Sequence, residues 1–202
     1  MATSPPSPPG APRNIPGLSA SGTLPPYVGG DPTAASMSPY RCTLTEVART
    51  FCTSRVRTTI FQGYLLHRRV LAGLGFVQGF QWLSGSYMET IEVIEGRAPR
   101  DIDVVTFFVP PAICPTPADL RAMAQANRDV FEPPLAKVRF HCDPYFVNLR
   151  YSPVGIVSLT RYWFGLFSHR RGGLWKGLLQ VELAPSQDDA DASDYVNGLS
   201  CP

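Results

Sequence analysis

The sequence predicts an α+β domain in which a small mixed β-sheet packs with helices against one face. The predicted order is helix, helix, strand, turn and helix, strand, helix, strand, helix, strand, and that order fits a mixed sheet. Hydrophobic residues make up 44% and charged residues 17% of the 202 residues, a balance typical of a globular protein. We therefore expect one folded domain with an extension at each end.

Composition divides the chain into three parts. Residues 1–39 are rich in Pro, Gly, Ser, Ala and Thr, and we expect a partly disordered arm that Leu24 and Tyr27 could pin onto the domain. Residues 40–185 form the folded domain. Residues 186–202 contain four aspartates and no Lys or Arg, which predicts an acidic disordered tail. The rest of the chain then carries a formal charge of +6, which suits phosphate-bearing ligands.

Two helices are predicted at the start of the folded domain. Thr43 and Glu46 form a capping-box pattern, so a helix should cover residues 44–52. A longer amphipathic helix is expected over residues 55–74. Its four arginines, Arg55, Arg57, Arg68 and Arg69, lie mostly on its polar side. We expect them to form a solvated face, with binding to a nucleic acid or a protein as the alternative.

The remaining elements follow from short local patterns. Strands are predicted at residues 82–84, at 102–109, from 137 to at least 143, and at 178–183, because apolar, β-branched or alternating residues fill them. Thr116-Pro117 is typical of a helix start, with a capping residue followed by Pro. An aromatic-rich helix is expected over residues 156–167, and packing in the core is the favoured role of its aromatic side chains.

Candidate functional residues surround the strand that begins near residue 102. Asp101 and Asp103 flank an apolar residue, so their side chains should project from one face, about 7 Å apart along the strand. Two neighbouring carboxylates repel each other and favour a bound cation, and hard oxygen ligands suit Mg²⁺ or Mn²⁺. Gly85 and Ser86 are typical of a turn whose backbone N–H groups bind phosphate. This combination indicates chemistry on a nucleoside triphosphate.

Two further segments could complete the site. Asp143 is the third candidate carboxylate, on a predicted strand whose polar face also carries Arg139 and His141. Its alternative role is that of a turn residue before a proline. The basic segment 168–177 carries Lys176, which could reach a triphosphate.

Gly85-Ser86 followed by Asp101-Ile102-Asp103-Val104 resembles the signature of the DNA polymerase β-type nucleotidyltransferase superfamily. Three flanking segments resemble an uncharacterised bacterial branch of that superfamily, and they are Leu24-Pro25-Pro26, the Thr43-to-Glu46 helix start and Lys176-Gly177. The resemblance covers about residues 22–183 and implies a nucleotidyltransferase-like fold.

The resemblance also implies roles for individual residues. The catalytic and metal-binding carboxylates would be Asp101, Asp103 and Asp143, with Mg²⁺ or Mn²⁺ as the cofactor. Nucleotide binding would fall to Gly85, Ser86 and Lys176. The substrate would be an NTP, with ATP as the first candidate, and the acceptor hydroxyl would belong to a protein, an RNA or a small molecule.

Three functional hypotheses stay open at this point. The first is a Mg²⁺-dependent nucleotidyltransferase that moves a nucleoside monophosphate from an NTP onto an acceptor hydroxyl. The alternative is a non-catalytic regulatory protein of the same fold, for example a toxin–antitoxin or phage-defence component with a protein partner. The third is nucleic-acid binding by the arginines of residues 55–74, which would be strongly salt-dependent.

Several sequence features bear on location. No apolar segment reaches membrane-spanning length, and the N-terminus lacks the basic and apolar regions of a signal peptide. Five scattered cysteines without a CxxC pair are typical of a reducing compartment. Together these features predict a cytoplasmic protein without membrane contact.

Overall fold

The structure, a computed structural model, describes residues 15–29 and 36–199. The strands are β1 (Tyr40–Arg41), β2 (Gly79–Ser84), β3 (Ile102–Phe108), β4 (Cys142–Asn148) and β5 (Leu179–Glu182). The α-helices are α1 (Leu44–Phe51), α2 (Arg55–Gly73), α3 (Ile91–Glu95), α4 (Pro117–Ala126), α5 (Arg128–Phe131), α6 (Pro133–Phe140), α7 (Pro153–Phe167) and α8 (Gln187–Asn197). The predicted α+β class is confirmed. None of the helices in the described part of the chain is long and apolar enough to cross a membrane.

The five strands form one mixed sheet in the order β1-β5-β2-β3-β4. β2 runs antiparallel to both of its neighbours, β3 and β5, whereas β3 and β4 run parallel. A parallel pair needs a crossover connection, and α4, α5 and α6 supply it. The predicted strands near residues 82, 102 and 178 are confirmed, with bounds that differ by a few residues.

The larger hydrophobic core lies between one face of the sheet and helices that include α1, α2 and α8. Alternation along β3 directs Ile102, Val104 and Phe108 into this core. The predicted start of α1 is confirmed, since the side-chain oxygen of Thr43 accepts a hydrogen bond from the backbone N–H of Glu46. The cap fixes where α1 begins, and the buried residues of α1 then face the sheet.

A second core covers the opposite face of the sheet, beneath α7. Val105 and Phe107 of β3 are buried there with Phe167 of α7. The rings of Trp163 and Tyr145 lie 4.4 Å apart, centroid to centroid. The aromatic-rich helix is therefore confirmed, with most of its rings toward the sheet. The expectation of helices against one face is wrong, because both faces are covered.

The described part of the N-terminal arm, residues 15–29, packs onto the domain. Leu24 is fully buried, and its carbonyl oxygen accepts a hydrogen bond from the backbone N–H of Gly177 at 2.7 Å. The Tyr40 hydroxyl donates to the carbonyl oxygen of Pro25 at 2.8 Å. The expected pinning at Leu24 is thus confirmed. The predictions for residues 1–14, 30–35 and 200–202 lie outside the described residues.

The prediction of a disordered acidic tail is wrong for the residues that form α8. Ala192 and Val196 of α8 are buried against the larger core. The carboxylate of Asp188 accepts hydrogen bonds from the backbone N–H groups of Leu44 and Thr45 at the start of α1. Acidic side chains are stabilising at a helix N-terminus, so the charge that suggested a solvated tail instead attaches it to the domain.

The prediction of a strand beginning at Lys137 is also wrong. Residues 133–140 form α6, with prolines in its first turn, and the strand begins only at Cys142. His141 ends the helix with a left-handed backbone, at φ 53°. The alternation from residue 137 to 143 is short enough to fit either a strand or one side of a helix. Arg139 therefore does not share a strand face with Asp143.

The arginines of α2 do not form the expected solvated face, because two of them are buried. Arg57 donates hydrogen bonds to the Glu92 carboxylate at 2.7 Å and to a backbone carbonyl oxygen at the same distance. Arg68 donates to Asp189 at 3.0 Å and to Gln81 at 2.8 Å. Both guanidinium groups hold the fold together, which removes them from the nucleic-acid surface proposed as the third hypothesis.

Candidate active site

The strand register brings the predicted carboxylates together at one end of the sheet. Asp103 of β3 lies directly opposite Asp143 of β4, and on its other side it lies opposite Ser84 of β2. These three residues share the sheet face that α7 covers. The backbone carbonyl oxygen of Phe167, the last residue of α7, accepts a hydrogen bond from the Ser84 hydroxyl at 2.9 Å. The helix thus ends where the polar residues begin, and this leaves a cleft.

The cleft has a volume of about 810 Å³ and contains all six residues predicted to form the nucleotidyltransferase site. Its lining includes Gly85, Ser86, Asp101, Asp103, Asp143 and Lys176. These residues come from four separate places in the chain, so the fold assembles what the sequence shows only as scattered motifs. Asp143 belongs to β4 rather than to a turn, and its turn alternative is therefore wrong.

Lys137, at the end of α6, contacts two of the three carboxylates. Its Nζ lies 2.7 Å from Oδ2 of Asp143 and 3.3 Å from Oδ2 of Asp101. Sequence reasoning missed this residue because it assigned Lys137 to a strand. A signal was available, since the sequence contains two lysines, Lys137 and Lys176, and both line this cleft.

Asp103 has an environment that disfavours its charged form. Burial raises the pKa of its carboxyl to about 6, and the negative charges of Asp101 and Asp143 act in the same direction. The ammonium groups of Lys176 and Lys137 oppose that shift without cancelling it. A cation bound beside Asp103 would therefore favour the charged form of its carboxyl.

Gly85 lies directly against the Asp103 carboxylate. Its backbone has φ 86° and ψ −172°, a combination essentially confined to glycine. A Cβ at this position would overlap the carboxylate of Asp103. Ser86 then begins a single 3₁₀ turn, Ser86–Met88, instead of the longer helix that the motif suggested. The glycine is required here by contact with a neighbouring carboxylate, which the sequence could not reveal.

Lys176 is buried and paired with a carboxylate that the sequence reading did not single out. Its Nζ lies 2.6 Å from Glu89 and 3.4 Å from the carbonyl oxygen of Gly85. Arg170 contacts the other oxygen of Glu89 at 3.0 Å. Lys176 is therefore positioned at the Gly85 turn, with its charge directed first at Glu89.

The carboxylate oxygens of the cleft are ligands suited to a hard divalent cation, although they do not form a complete coordination sphere. In residues 15–29 and 36–199 no group of three or more His, Cys, Asp or Glu side chains is arranged to hold a metal ion. However, Oδ1 of Asp143 is buried without a hydrogen-bond partner among the described residues. An unsatisfied carboxylate oxygen beside two further carboxylates is suited to Mg²⁺ or Mn²⁺.

Comparison with known proteins identifies a family but no characterised relative. A family model described as "Family of unknown function (DUF6932)" matches residues 16–182, which is most of the chain. No curated protein and no solved structure matches the chain. The matched segment includes all the strands and every cleft residue that the sequence singled out.

Proposed function

We propose that this chain, which belongs to the DUF6932 family of unknown function, is a metal-dependent nucleotidyltransferase. It would move a nucleoside monophosphate from an NTP, with ATP as the first candidate, onto an acceptor hydroxyl. The observation that carries the proposal is the convergence of Asp101, Asp103 and Asp143 beside Gly85-Ser86 in one cleft. The resemblance of those same residues to polymerase β-type nucleotidyltransferases agrees with it.

The three carboxylates would hold Mg²⁺ or Mn²⁺. Without a cation they would repel the triphosphate, because both partners are anionic. When bound, the metal neutralises phosphate charge and favours in-line displacement at phosphorus. Asp101 and Asp103 flank Ile102, the first residue of β3, and Asp143 lies opposite Asp103 on the neighbouring strand, so the acids come from two adjacent strand ends.

The chain's own residues would bind the substrates and manage the proton. Gly85, which lacks a side chain, lets the turn lie against the Asp103 carboxylate, so phosphate bound at the turn would lie beside the cation site, and Ser86 offers its hydroxyl at the cleft surface. The acceptor hydroxyl oxygen bonds to the α-phosphorus as the bond to the β-phosphate oxygen breaks and pyrophosphate leaves. Asp143 would position the acceptor and accept its proton. Lys176 would act on the nucleotide indirectly, by supporting the Gly85 turn, whose carbonyl oxygen its ammonium group contacts.

A cytoplasmic location is part of the proposal. Cys114 and Cys142 are buried free thiols, which is consistent with a reducing compartment. NTP substrates are also abundant in the cytoplasm.

The second candidate is a non-catalytic nucleotidyltransferase-like protein that works with a protein partner, as in a toxin–antitoxin or phage-defence pair. The outward side of α7 favours it, since four large apolar side chains there are more than half exposed. They are Val154, Val157, Tyr162 and Leu166. Exposed apolar surface of this kind is typical of protein contacts.

Pyrophosphate release from each labelled NTP, with Mg²⁺ or Mn²⁺ and cell extract as acceptor, tests the proposal. The isosteric double variant Asp101→Asn/Asp103→Asn should lose release at least about a hundredfold, because it removes two charges from the cation site. Asp191→Asn/Asp194→Asn, on the exposed side of α8, removes the same charge elsewhere and should match wild type. Metal-dependent NTP binding without release would favour the second candidate. Equal release by both double variants would overturn the catalytic assignment.

A further inference from the structure

A lysine occupies the position between two of the three candidate metal-binding carboxylates. We propose that Lys137 is the resident cation of the site: its ammonium group holds Asp101 and Asp143 together in the metal-free protein and leaves when a divalent cation binds. This inference rests on the carboxylate site of the proposed function but not on catalysis. It adds an internal competitor that sets the affinity of the site for metal.

The position of the Lys137 ammonium group between two carboxylates supports the proposal. Lys137 is within ion-pair distance of both acids, at 2.7 Å from Asp143 and 3.3 Å from Asp101. One ammonium group thus bridges residues that lie on different segments, one just before β3 and one on β4. A single compact cation that bridges two carboxylates takes the place of a shared metal ion.

The charges around the three carboxylates also support the proposal. The three acids bring three formal negative charges to one end of the sheet, and Lys137 and Lys176 are the lysines that oppose them. Lys176 has a carboxylate of its own, because Glu89 lies 2.6 Å away and is buried. Arginines also line the cleft, but among the described residues only Lys137 lies within ion-pair distance of Asp101 and Asp143, and without it these acids would repel each other across the cleft.

The exposure of Lys137 allows its ammonium group to leave the carboxylates, as the proposal requires. The Lys137 side chain is 42% exposed, against 6% for Lys176. It extends from the last turn of α6 on a flexible stem, and solvent adjoins it, so release requires rotation of a side chain rather than movement of the backbone. An ammonium group is also strongly hydrated, which favours an exchangeable contact over the persistent bidentate contact that an arginine makes.

The primary experiment compares Lys137→Met with Arg139→Met. Arg139 lies on the same helix and its guanidinium pairs with Asp129 outside the cleft, so the control removes the same charge at a similar place. Titration with Mn²⁺, followed by the electron paramagnetic resonance of the free ion, should show roughly three- to tenfold tighter binding for Lys137→Met. Melting in EDTA should show a lower Tm for Lys137→Met than for the control, and Mn²⁺ should restore it.

A second measurement uses the wild-type protein and does not depend on the variant folding. Limited acylation of amines, read by mass spectrometry, reports Lys137 and Lys176 separately, and the sequence has no other lysine. Addition of Mn²⁺ should increase the rate of modification of Lys137 at least about threefold, because two neighbouring carboxylates hold the amine in its unreactive protonated form and its release removes that effect. Modification of Lys176, which is buried against Glu89, should stay slow with or without metal.

The outcomes separate this inference from the proposed function. Tighter Mn²⁺ binding together with a lower metal-free Tm supports the resident cation, even if no NTP is turned over. The inference is overturned if Lys137→Met binds Mn²⁺ as wild type does, or if its metal-free Tm equals that of Arg139→Met. Unchanged acylation of Lys137 on Mn²⁺ binding overturns it as well. If pyrophosphate is released but one of these contradicting results is obtained, the proposed catalytic function is retained and the proposed role of Lys137 is rejected.

Discussion

The carboxylate of Asp103 fills the space that a side chain at Gly85 would need. The two residues belong to antiparallel neighbours, because Gly85 follows β2 directly and Ser84 pairs with Asp103. The turn that we propose for phosphate binding and the acid that we propose for metal binding are thus in contact. A change in one should therefore be detected at the other.

Gly85→Ala should reduce both stability and metal binding. The new methyl group has to displace the Asp103 carboxylate and adopt a backbone conformation that alanine avoids, at a cost of about 2 to 4 kcal/mol. Urea unfolding and Mn²⁺ titration measure the two effects. Gly96→Ala is the control, since Gly96 also has a positive φ but no atom within 4 Å of its Cβ position. Equal Mn²⁺ affinities in the two variants would contradict the proposed contact between the turn and the metal site.

The sequence predicted the candidate site better than it predicted the surroundings of that site. The candidate residues between Gly85 and Asp103 could be predicted from local spacing, because alternation on a strand decides which side chains share a face. Asp143 was predicted from the resemblance and from the polar character of its segment, although the strand proved shorter and the polar face wrong. Local pattern was sufficient to single out these candidate residues because they lie near strand ends.

The missed features depend on partners that are distant in sequence. Arg68 looks solvated in its own helix, yet Asp189 lies 121 positions away and Gln81 lies beneath it in the sheet. Lys137 reaches Asp101 only because α6 precedes β4 in the crossover. Charge periodicity describes one element at a time, so it cannot separate a solvated face from one that is paired across the fold.

Asp103 should make the metal-free protein less stable as pH rises from about 4 to about 6. Its pKa is raised from 3.8 to about 6 in the folded protein, so in that range the folded state binds a proton that the unfolded state has released. The contribution of Asp103 to stability therefore falls with rising pH, by on the order of 2 to 3 kcal/mol. Burial lowers the pKa of His67 to about 4, so His67 contributes in the opposite direction over much of the same range. The contribution of Asp103 is therefore read as the difference between wild type and a variant at position 103, by urea unfolding in EDTA at pH 4.5 and pH 7.5.

Asp103→Asn isolates this effect, since it keeps the shape of the side chain and removes its titration. The variant should be more stable than wild type at pH 7.5, and its stability relative to wild type should rise between pH 4.5 and pH 7.5 by about the contribution of Asp103. Asp194→Asn, on the exposed side of α8, is the matched control and should keep the wild-type dependence. A variant at position 103 with the full wild-type slope would assign the pH effect to other groups.

Lys176 and Glu89 should behave as a coupled buried pair. Lys176→Met leaves Glu89 buried with Arg170 as its remaining ionic partner, so we expect a loss of about 2 to 4 kcal/mol in stability. Glu89→Gln/Lys176→Met should recover at least half of that loss, because the uncompensated charge is gone. Urea unfolding of the two single variants and the double variant gives the coupling energy.

The same double variant tests how Lys176 acts on the nucleotide. If Lys176 supports the Gly85 turn by neutralising buried Glu89, equilibrium binding of an NTP should return to within about threefold of wild type in the double variant. Binding that stays weak although stability has recovered would instead mean that the Lys176 ammonium itself is needed, at the Gly85 carbonyl oxygen or at the phosphates. Fluorescent NTP titration at saturating Mg²⁺ measures the difference.

Asp189→Asn should unfold at markedly lower urea concentration, although sequence reasoning placed Asp189 in a disordered tail. Arg68 is buried, and Asp189 is the carboxylate that pairs with it, at 3.0 Å. Removing that charge leaves a buried guanidinium with the neutral Gln81 oxygen, which costs about 2 to 4 kcal/mol. Asp191→Asn, two positions along α8 and exposed, removes the same charge and should change stability by less than about 0.5 kcal/mol. Equal unfolding midpoints for the two variants would contradict the docking of α8, because a detached tail would make both substitutions neutral.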